Sequence, residues 1–336
     1  MAAAPVPAPA TYVHGLVRPK GIKVSRELYV PDDAFGWRAV TVLFGVLLAC
    51  VVALPYLVDR FGALGILPAA PVIGAYVYKL TILMHECCHR TLFRSRRVND
   101  RVGLVAGGFL VTSYDAFCRA HWQHHRHCGT EDDGEESDYL TLQDAPPSRL
   151  VLHLLKPLLG VQAARITAAA VLGIVGRPAH GAQEAAEPVR RPLVSPLAQV
   201  LSIAAVQIAL AAVATGFGRH LWLALVYPVT AATFGLFFSR VRAFCEHVHV
   251  HRHEGECSVR SHLPNPVDRL FFYTLNMNLH VEHHLFPQVP ACHLPRIREQ
   301  LEQAGYLTPA MTSRFILGTI AGVLADARAR HRGLTA

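Results

Sequence analysis

Histidines in three short clusters are the residues of this sequence best suited to chemistry. The clusters read His85-Glu86-Cys87-Cys88-His89, His121-Trp122-Gln123-His124-His125 and His280-Val281-Glu282-His283-His284. Residues three and four apart on a helix lie on one face, with Cβ atoms about 5–6 Å apart. Each cluster therefore predicts a helical segment that points two or three imidazoles in one direction. Because only 20 of the 336 residues are histidine, chance rarely produces three such clusters in one chain.

The number of histidines in the clusters indicates what kind of metal site they form. The predicted ligands are His85, His89, His121, His124, His125, His280, His283 and His284. Imidazole binds iron, copper and zinc. Eight ligands are too many for one tetrahedral zinc, but they suffice for two irons that keep positions open for oxygen. Soluble di-iron bundles use recurrent Glu-x-x-His pairs. The three clusters here consist mainly of histidines, which favours a histidine-rich metal pair.

Residues outside the eight histidines extend the predicted site. His247, just past the last apolar run, is predicted as a ninth ligand. Asn276, four residues before the third cluster, is an additional candidate that would reach the metal directly or through water. Glu86, Glu246 and Glu282 are placed to accept a hydrogen bond from the outer nitrogen of a ligating histidine. Exposure at the surface is the alternative for each of these three carboxylates.

Cysteine usage indicates a reducing compartment. The eight cysteines are Cys50, Cys87, Cys88, Cys118, Cys128, Cys245, Cys257 and Cys292. Their spacing fits neither a zinc finger nor a ferredoxin, and in a chain of this length it predicts reduced thiols facing a cytoplasm. Cys87 and Cys88 are predicted either to pack away from the metals or to act as thiolate ligands. His249, His251 and His253 alternate with other residues, which predicts either surface positions or a weak adventitious metal site.

The three clusters resemble the histidine boxes of the membrane-bound fatty acid desaturase and hydroxylase superfamily. The resemblance covers about 85–295, and the phrase Asn278-Leu279-His280-Val281-Glu282-His283-His284-Leu285-Phe286-Pro287 is similar to the bacterial branch. It implies two non-haem irons held by the histidines, O2 as co-substrate and no catalytic residue apart from the metal ligands. It also implies removal of hydrogen from an unactivated C–H bond of a hydrophobic substrate, with electrons from an external donor.

The overall composition predicts a membrane protein. A mean hydropathy of +0.28, with 52% hydrophobic and 17% charged residues, is too apolar for an ordinary soluble domain. The net charge of +8 and the pI of about 9.2 would also suit a nucleic-acid-binding protein. The basic residues, however, flank apolar runs, where they orient membrane helices. The expected partner is therefore the lipid bilayer, and no nucleic acid is expected.

Four uncharged runs are long enough to cross about 30 Å of hydrocarbon. These runs are 39–58, 61–78, 193–218 and 221–239. Asp59 and Arg60 are predicted to form a tight turn between the first two, and Arg219 and His220 connect the last two. Nearly all other basic residues flank the opposite ends of the runs. By the positive-inside rule, both termini and all three histidine clusters are predicted to be cytoplasmic.

The predicted fold class is all-α: an integral membrane protein with four transmembrane helices in two hairpins, interfacial helices and a cytoplasmic histidine-rich cap. The run 102–114 is too short to cross, and 150–176 is interrupted by charge, so the first is expected to be re-entrant or interfacial and the second interfacial. Segment 131–138 is expected to be a solvated acidic loop, with metal binding by its carboxylates as the alternative. Segment 176–192 is expected to be a linker. The predicted divisions are an N-terminal cytoplasmic tail at 1–34, a membrane domain at 35–310 and a C-terminal cytoplasmic helix or tail at 311–336.

The resemblance implies an O2-dependent membrane di-iron oxidase, with a desaturase acting on a fatty acyl or lipid-like substrate as the first expectation. A hydroxylase or ketolase acting on a specialised metabolite or carotenoid is the alternative, because no motif distinguishes these outcomes. A membrane metal transporter or sensor is the alternative from another class. Transporters place their ligands near the midplane of their spans, whereas the four runs here are nearly free of histidine.

The electron donor is expected to be a separate protein. The sequence contains no His-Pro-Gly-Gly haem-binding segment, no cysteine cluster for iron–sulfur and no Gly-x-Gly-x-x-Gly after a strand. A ferredoxin or similar electron-transfer protein is predicted to dock on basic residues next to the first histidine cluster. These residues are Arg94, Arg96, Arg97 and Arg101. The alternative is that the four arginines only set the topology and contact lipid headgroups.

Overall fold

The structure, a computed structural model, describes residues 22, 24–128, 133, 139, 141–161, 193–248 and 259–333. These residues are mostly helical. The helices α1 to α12 are Asp33–Phe61, Ile66–His89, Arg96–Leu110, Tyr114–His127, Pro147–Leu155, Pro196–Ala214, Val226–Thr230, Leu236–His247, Pro266–Phe271, His280–Leu285, Leu294–Gln303 and Ile316–His331. The strands β1 (Ser261–His262) and β2 (Thr312–Ser313) form a parallel pair, a small departure from the all-α expectation.

Helices α1 and α2 pack against each other through a connection that differs from the predicted one. The expected turn at Asp59 and Arg60 is wrong, because both residues lie in the last turns of α1. The connection is the 3-10 turn Gly62–Gly65. Gly62 ends α1 with a φ of 61°, which glycine adopts without the strain that a side chain brings. Gly62, rather than the charged pair before it, determines where α1 ends.

Among the residues that the structure describes, three helical stretches are long and apolar enough to cross a membrane. They are Arg26–His89, which contains α1 and α2, Pro196–Ala214 and Leu221–His247. The runs 39–58, 61–78 and 221–239 lie within these stretches, and the run 193–218 contains the stretch Pro196–Ala214. The separate crossing of α1 and α2, which makes four spans in two hairpins, stays a prediction, as do the orientation of the termini and the predicted domain divisions.

Polar residues lie at the two opposite ends of the apolar helices. At one end, Asp59 accepts from Arg219 Nη2 at 2.8 Å and lies 2.6 Å from His220 Nε2. At the other end α2 continues without a break into His85 and His89. From Ile66 to His85 the helix rises about 29 Å, close to the thickness of a bilayer's hydrocarbon core. The first histidine cluster is therefore about one bilayer thickness away from the amino end of α2.

Two glycines let α2 approach the fourth apolar run closely. That run is helical throughout Leu221–His247 but includes a π-helical turn at Ala231–Gly235. A Cβ atom on Gly74 would overlap the side chain of Phe234, and Gly235 contacts Val77. This close packing brings the carboxyl ends of α2 and α8 together. His247, the last residue of α8, thereby reaches the end of α2.

The predicted interfacial segments are largely helical where the structure describes them. The run 102–114 lies mainly in α3, whose amino end is capped by Ser95. The side of α3 that carries Gly103 and Gly108 packs on Tyr114 and Ser202. Helix α5 covers the start of the run 150–176, while 162–192, including the predicted linker, lies outside the described residues. Their position at a membrane surface stays a prediction.

The strand pair ties the third histidine cluster to the C-terminal helix. His262 N donates to Asn278 O at 2.7 Å, and Asn278 Nδ2 donates back to His262 O at 2.8 Å. On its other side, the fully buried ring of His262 places Nε2 3.2 Å from Thr319 Oγ1 in α12. His262 is thus a structural histidine, whose ring bridges two parts of the fold.

Replacement of His262 should flatten the pH dependence of stability. Burial lowers the pKa of His262 from 6.5 to about 3, so the unfolded chain binds a proton that the folded chain excludes. Below pH 6.5 the wild-type protein should lose about 1.4 kcal/mol of unfolding free energy per pH unit from this group. In His262→Gln that contribution is absent. Unfolding of both metal-free proteins at pH 7 and pH 5 measures the difference, and parallel pH profiles would contradict it.

Candidate metal centre

The first histidine cluster lies at the carboxyl end of α2. His85 and His89 are one helical turn apart, and α2 ends at Arg90, which has a φ of 60°. Glu86 is buried next to them and accepts from Thr91 Oγ1 at 2.9 Å and from the backbone N of Ala291 at 3.2 Å. The glutamate therefore joins the first cluster to the chain that follows the third.

The second cluster lies in the last two turns of α4. Ser113 caps the helix by accepting from Ala116 N at 3.2 Å. Near this end, Asp115 accepts from Gln199 Nε2 of α6 at 3.0 Å and from the backbone N of Leu193 at 2.9 Å. These bonds fix α4 against α6. Asp115 is thus occupied at the end of α4 away from the histidines.

The third cluster forms the short helix α10, which strong polar contacts hold in place. Ser261 Oγ donates to Glu282 Oε2 at 2.5 Å and accepts from Val281 N at 2.9 Å. Arg298 Nη1 donates to Glu282 Oε1 at 2.8 Å. Glu282 is fully buried, so its charge is balanced by the arginine rather than by water. The carboxylate of Glu282 anchors helix α10 through Ser261 and Arg298. The predicted contact between Glu282 and a ligating histidine is not one of these bonds.

The nine predicted histidines converge into two neighbouring sets, although they come from four helices. The five-histidine set comprises His85, His89, His121, His125 and His283, whose ligand nitrogens all lie within 4.8 Å of one another. The four-histidine set comprises His124, His280 and His284, which also meet this limit, and His247, which joins them through His280. The rings of His125 and His284, one from each set, have centroids 4.4 Å apart. The two sets are therefore adjacent.

Within each set the rings approach one another through Nε2. The Nε2 atoms of His89 and His121 are 2.8 Å apart, and those of His125 and His283 are 3.2 Å apart. In the other set His280 Nε2 lies 3.2 Å from Nε2 of both His247 and His284. Two ligands at right angles on a metal with bonds of about 2.1 Å lie about 3.0 Å apart. The spacing of the nitrogens thus fits one metal ion in each set.

Burial keeps the imidazoles neutral, as metal binding requires. All nine histidine residues are buried, with at most 9% of their surface exposed. Burial lowers the pKa of four imidazoles outside the apolar helices well below the usual value for histidine, and neighbouring rings lower the pKa further. These four are His125, His280, His283 and His284. Neutral rings keep a nitrogen lone pair available at neutral pH, so metal does not have to displace a proton from them.

Asp133 is a site residue that the sequence analysis missed. Segment 131–138 was expected to be a solvated acidic loop, but Asp133 is fully buried and its Oδ2 lies 2.9 Å from His124 Nδ1. The expectation is wrong for this residue; the rest of the loop lies outside the described residues. A carboxylate at Nδ1 fixes the tautomer of the ring and leaves Nε2 for metal. Asp133 was one of six acidic residues in the run, and spacing alone did not single it out.

Asp133→Asn should weaken metal binding at the four-histidine set. The amide removes the negative charge that holds the Nδ1 proton of His124, and such changes typically cost about 10–100-fold in metal affinity. Competition with a chelator measures the affinity. Asp144→Asn is the matched control, because Asp144 is exposed in a nearby part of the chain. Equal iron retention by the two variants would remove Asp133 from this role.

Other predicted residues lie around the two sets. Asn276 Nδ2 donates to the carbonyl O of Ala291 at 3.0 Å, and its contribution as a ligand stays a prediction. Cys87 and Cys88 are buried, with Cys88 Sγ 3.9 Å from the carbonyl O of Cys118. Cys128, not predicted, has its Sγ 3.8 Å from His247 Nδ1. His249, His251 and His253 lie outside the described residues.

Comparison with known proteins gives two matches. The profile of the fatty acid desaturase family matches residues 61–314, which include all nine histidines of the two sets. The chain is also similar to the Delta(12) fatty acid dehydrogenase of Crepis alpina, with 23% identity over 248 residues. That alignment covers 66% of this chain and 63% of the plant protein, so it spans less than two thirds of the relative's length.

Proposed function

Since this chain belongs to the fatty acid desaturase family, we propose that it is a membrane di-iron oxidase that uses O2 to desaturate a fatty acyl or lipid-like substrate. The observation that carries the proposal is the pair of adjacent histidine sets, one with five rings and one with four. Each set offers inward Nε2 atoms at the spacing of ligands on one metal. The proposed ligands are the nine histidines of the two sets, with Asn276 as an additional candidate.

The chain's own residues would bind, orient and shield the two metals. The neutral imidazoles supply the ligand nitrogens, and Asp133 orients His124 through its outer nitrogen. Burial of the nine rings excludes water. Excluded water cannot compete for positions on the metals, and its absence strengthens the electrostatic contacts within the site. When bound, two irons supply the reductive activation of O2 and the removal of hydrogen from an unactivated C–H bond, chemistry that belongs to the cofactor.

A substrate dissolved in the bilayer suits the position of the site. The metal ligands lie where two apolar helices end: His85 and His89 on α2, and His247 on α8. A lipid-like molecule in the membrane would therefore reach the site without leaving an apolar surface. The same position argues against a metal transporter, whose ligands would lie near the middle of its spans. We further propose that the site and both termini face the cytoplasm.

Desaturation rather than hydroxylation is favoured by the similarity to a fatty acid dehydrogenase. Both outcomes begin with the same hydrogen removal; a second hydrogen removal gives a double bond, whereas return of oxygen to carbon gives an alcohol. A hydroxylase or ketolase acting on a specialised metabolite or carotenoid is the second candidate, because small differences in substrate position decide between these reactions.

Expression in a host with a ferredoxin and its reductase tests the proposed reaction. The host lipids should contain a new product two mass units lighter than its precursor, and the product should be missing in cells that express His283→Ala. A product heavier by one oxygen would establish the hydroxylase instead. Unchanged lipids and metabolites, with the protein present in the membrane and loaded with iron, would contradict an oxidase of this type.

A ferredoxin or similar protein is the proposed electron donor. Arg94, Arg96, Arg97 and Arg101 are exposed, as docking to an acidic partner requires. They begin five residues after His89, so a donor bound there would lie near the metals. Arg94 is also engaged, since its backbone N donates to Asp33 Oδ1 at 2.9 Å and its Nε donates to Pro31 O at 3.1 Å. The other three arginines are the better candidates for contact with a partner.

Turnover at low ferredoxin concentration should fall with salt. Exposed charges are screened within about 8–10 Å at ordinary ionic strength, and steering raises association rates by about 10-fold or more. We expect kcat/KM for ferredoxin to drop about 10-fold between about 0.02 M and about 0.5 M salt. Arg97→Glu should lower it at low salt, while Arg328→Glu, an equal charge change on exposed α12, should not. Salt-independent turnover would contradict docking by charge.

A further inference from the structure

Glu246 meets the four-histidine set from an unusual side. It is the residue before His247 in the last turn of α8 and is 2% exposed. Its Oε2 lies 3.6 Å from His280 Nε2, the nitrogen that faces the other rings of the set. The ligand atoms of Glu246, His247 and His280 all lie within 4.8 Å of one another. The carboxylate oxygen therefore lies beside the ligand nitrogens of two members of the set, His247 and His280.

Two other carboxylates next to ligating rings behave differently. Asp133 Oδ2 lies 2.9 Å from His124 Nδ1, and Glu86 Oε1 lies 3.3 Å from His85 Nδ1. Both meet the outer nitrogen, which is the usual place for a carboxylate that orients a metal-binding histidine. Glu246 meets Nε2 instead, and a carboxylate at that nitrogen shares the space that a metal ion would occupy.

The second oxygen of Glu246 is fixed by an arginine. Arg242, one turn earlier on α8, donates from Nε to Glu246 Oε1 at 2.7 Å. The same guanidinium donates from Nη2 to the carbonyl O of Met277 at 2.9 Å, just before the third cluster. Oε1 therefore balances the buried arginine, while Oε2 points toward His280. Such a division leaves one carboxylate oxygen on the side of the metal.

We propose that Glu246 Oε2 is a ligand of the metal held by the four-histidine set, which then has four imidazoles and one carboxylate. Iron accepts carboxylate and imidazole ligands together, and the five-histidine set already provides five ligand nitrogens. Each metal would thus have five protein ligands. The inference rests on the proposed function, because the iron pair is part of that proposal.

Iron retention and Mössbauer spectra of ⁵⁷Fe-loaded protein test the assignment. Wild type should hold two irons per chain after dialysis against a chelator and give signals from two subsites. Glu246→Gln should hold one iron firmly and bind the second more than about 100-fold more weakly, beyond the usual effect of an outer partner. The signal of the five-histidine set should be unchanged. Glu86→Gln also loses a buried carboxylate, but one beside the five-histidine set. This variant should keep the iron of the four-histidine set.

The outcomes separate this inference from the proposed function. A wild-type protein that cannot hold two irons contradicts the proposed function and the ligand with it. A wild type with two irons and a Glu246→Gln variant with the same two signals contradicts the role of Glu246 alone. If Glu246→Gln does not fold, Glu246→Asp replaces it: this variant keeps the charge beside Arg242 but withdraws the oxygen by one carbon–carbon bond. Its four-histidine signal should change, and an unchanged spectrum overturns the assignment.

Discussion

His124→Ala and His283→Ala should each reduce turnover to on the order of 1% of wild type or less, because each removes a ligand from a different metal of a pair that acts together. His283 belongs to the five-histidine set and His124 to the four-histidine set. Each variant should also lose one of two irons after dialysis. Turnover with reconstituted ferredoxin, together with metal analysis, measures both effects.

The matched control for these two variants is His293→Ala. His293 lies outside both sets and its Nε2 is 3.0 Å from the carbonyl O of Val30. This control should keep two irons and most of its turnover, while all three variants should insert into the membrane as wild type does. Near-normal turnover in His124→Ala or His283→Ala would remove that residue from the ligands.

Replacement of iron by zinc should abolish turnover while the protein stays folded. Imidazoles bind both metals, so zinc should occupy the two sets and stabilise the fold, but zinc has no redox chemistry with which to reduce O2. The zinc-loaded protein should therefore consume no oxygen and release no product. Oxygen consumption and product analysis before and after exchange provide the measurement.

Return of iron to the zinc-loaded protein is the control, and it should restore turnover because the ligands are unchanged. Product formation by a zinc-loaded protein free of residual iron would contradict a redox role for the metals. Equal turnover of the zinc-loaded and the iron-loaded protein would indicate a hydrolytic or structural metal site rather than an oxidase.

Sequence spacing was sufficient to predict how each cluster of histidines would be presented. His121, His124 and His125 lie on one side of α4 because residues three and four apart share a helical face. The same spacing did not predict that His124 and His125, which are adjacent, would enter different sets. That division depends on the crossing of α4 with α2 and α10, which tertiary packing sets.

Sequence spacing could not predict the contacts of residues in loops, or of residues that touch the outer side of the site. Asp133 follows His124 by nine residues in an acidic run, and only the folded loop brings its carboxylate to Nδ1. Glu246 was predicted as an outer partner because it neighbours His247 in sequence. Its approach to Nε2 of His280 depends on Arg242, which holds the other oxygen.

The positions of iron in crystals of the protein test the central claim most directly. Anomalous scattering measured at the iron edge should give two peaks in each chain. One peak should lie among His85, His89, His121, His125 and His283, and the other among His124, His247, His280 and His284. A single peak, or peaks away from these nitrogens in a protein that turns over, would contradict the account.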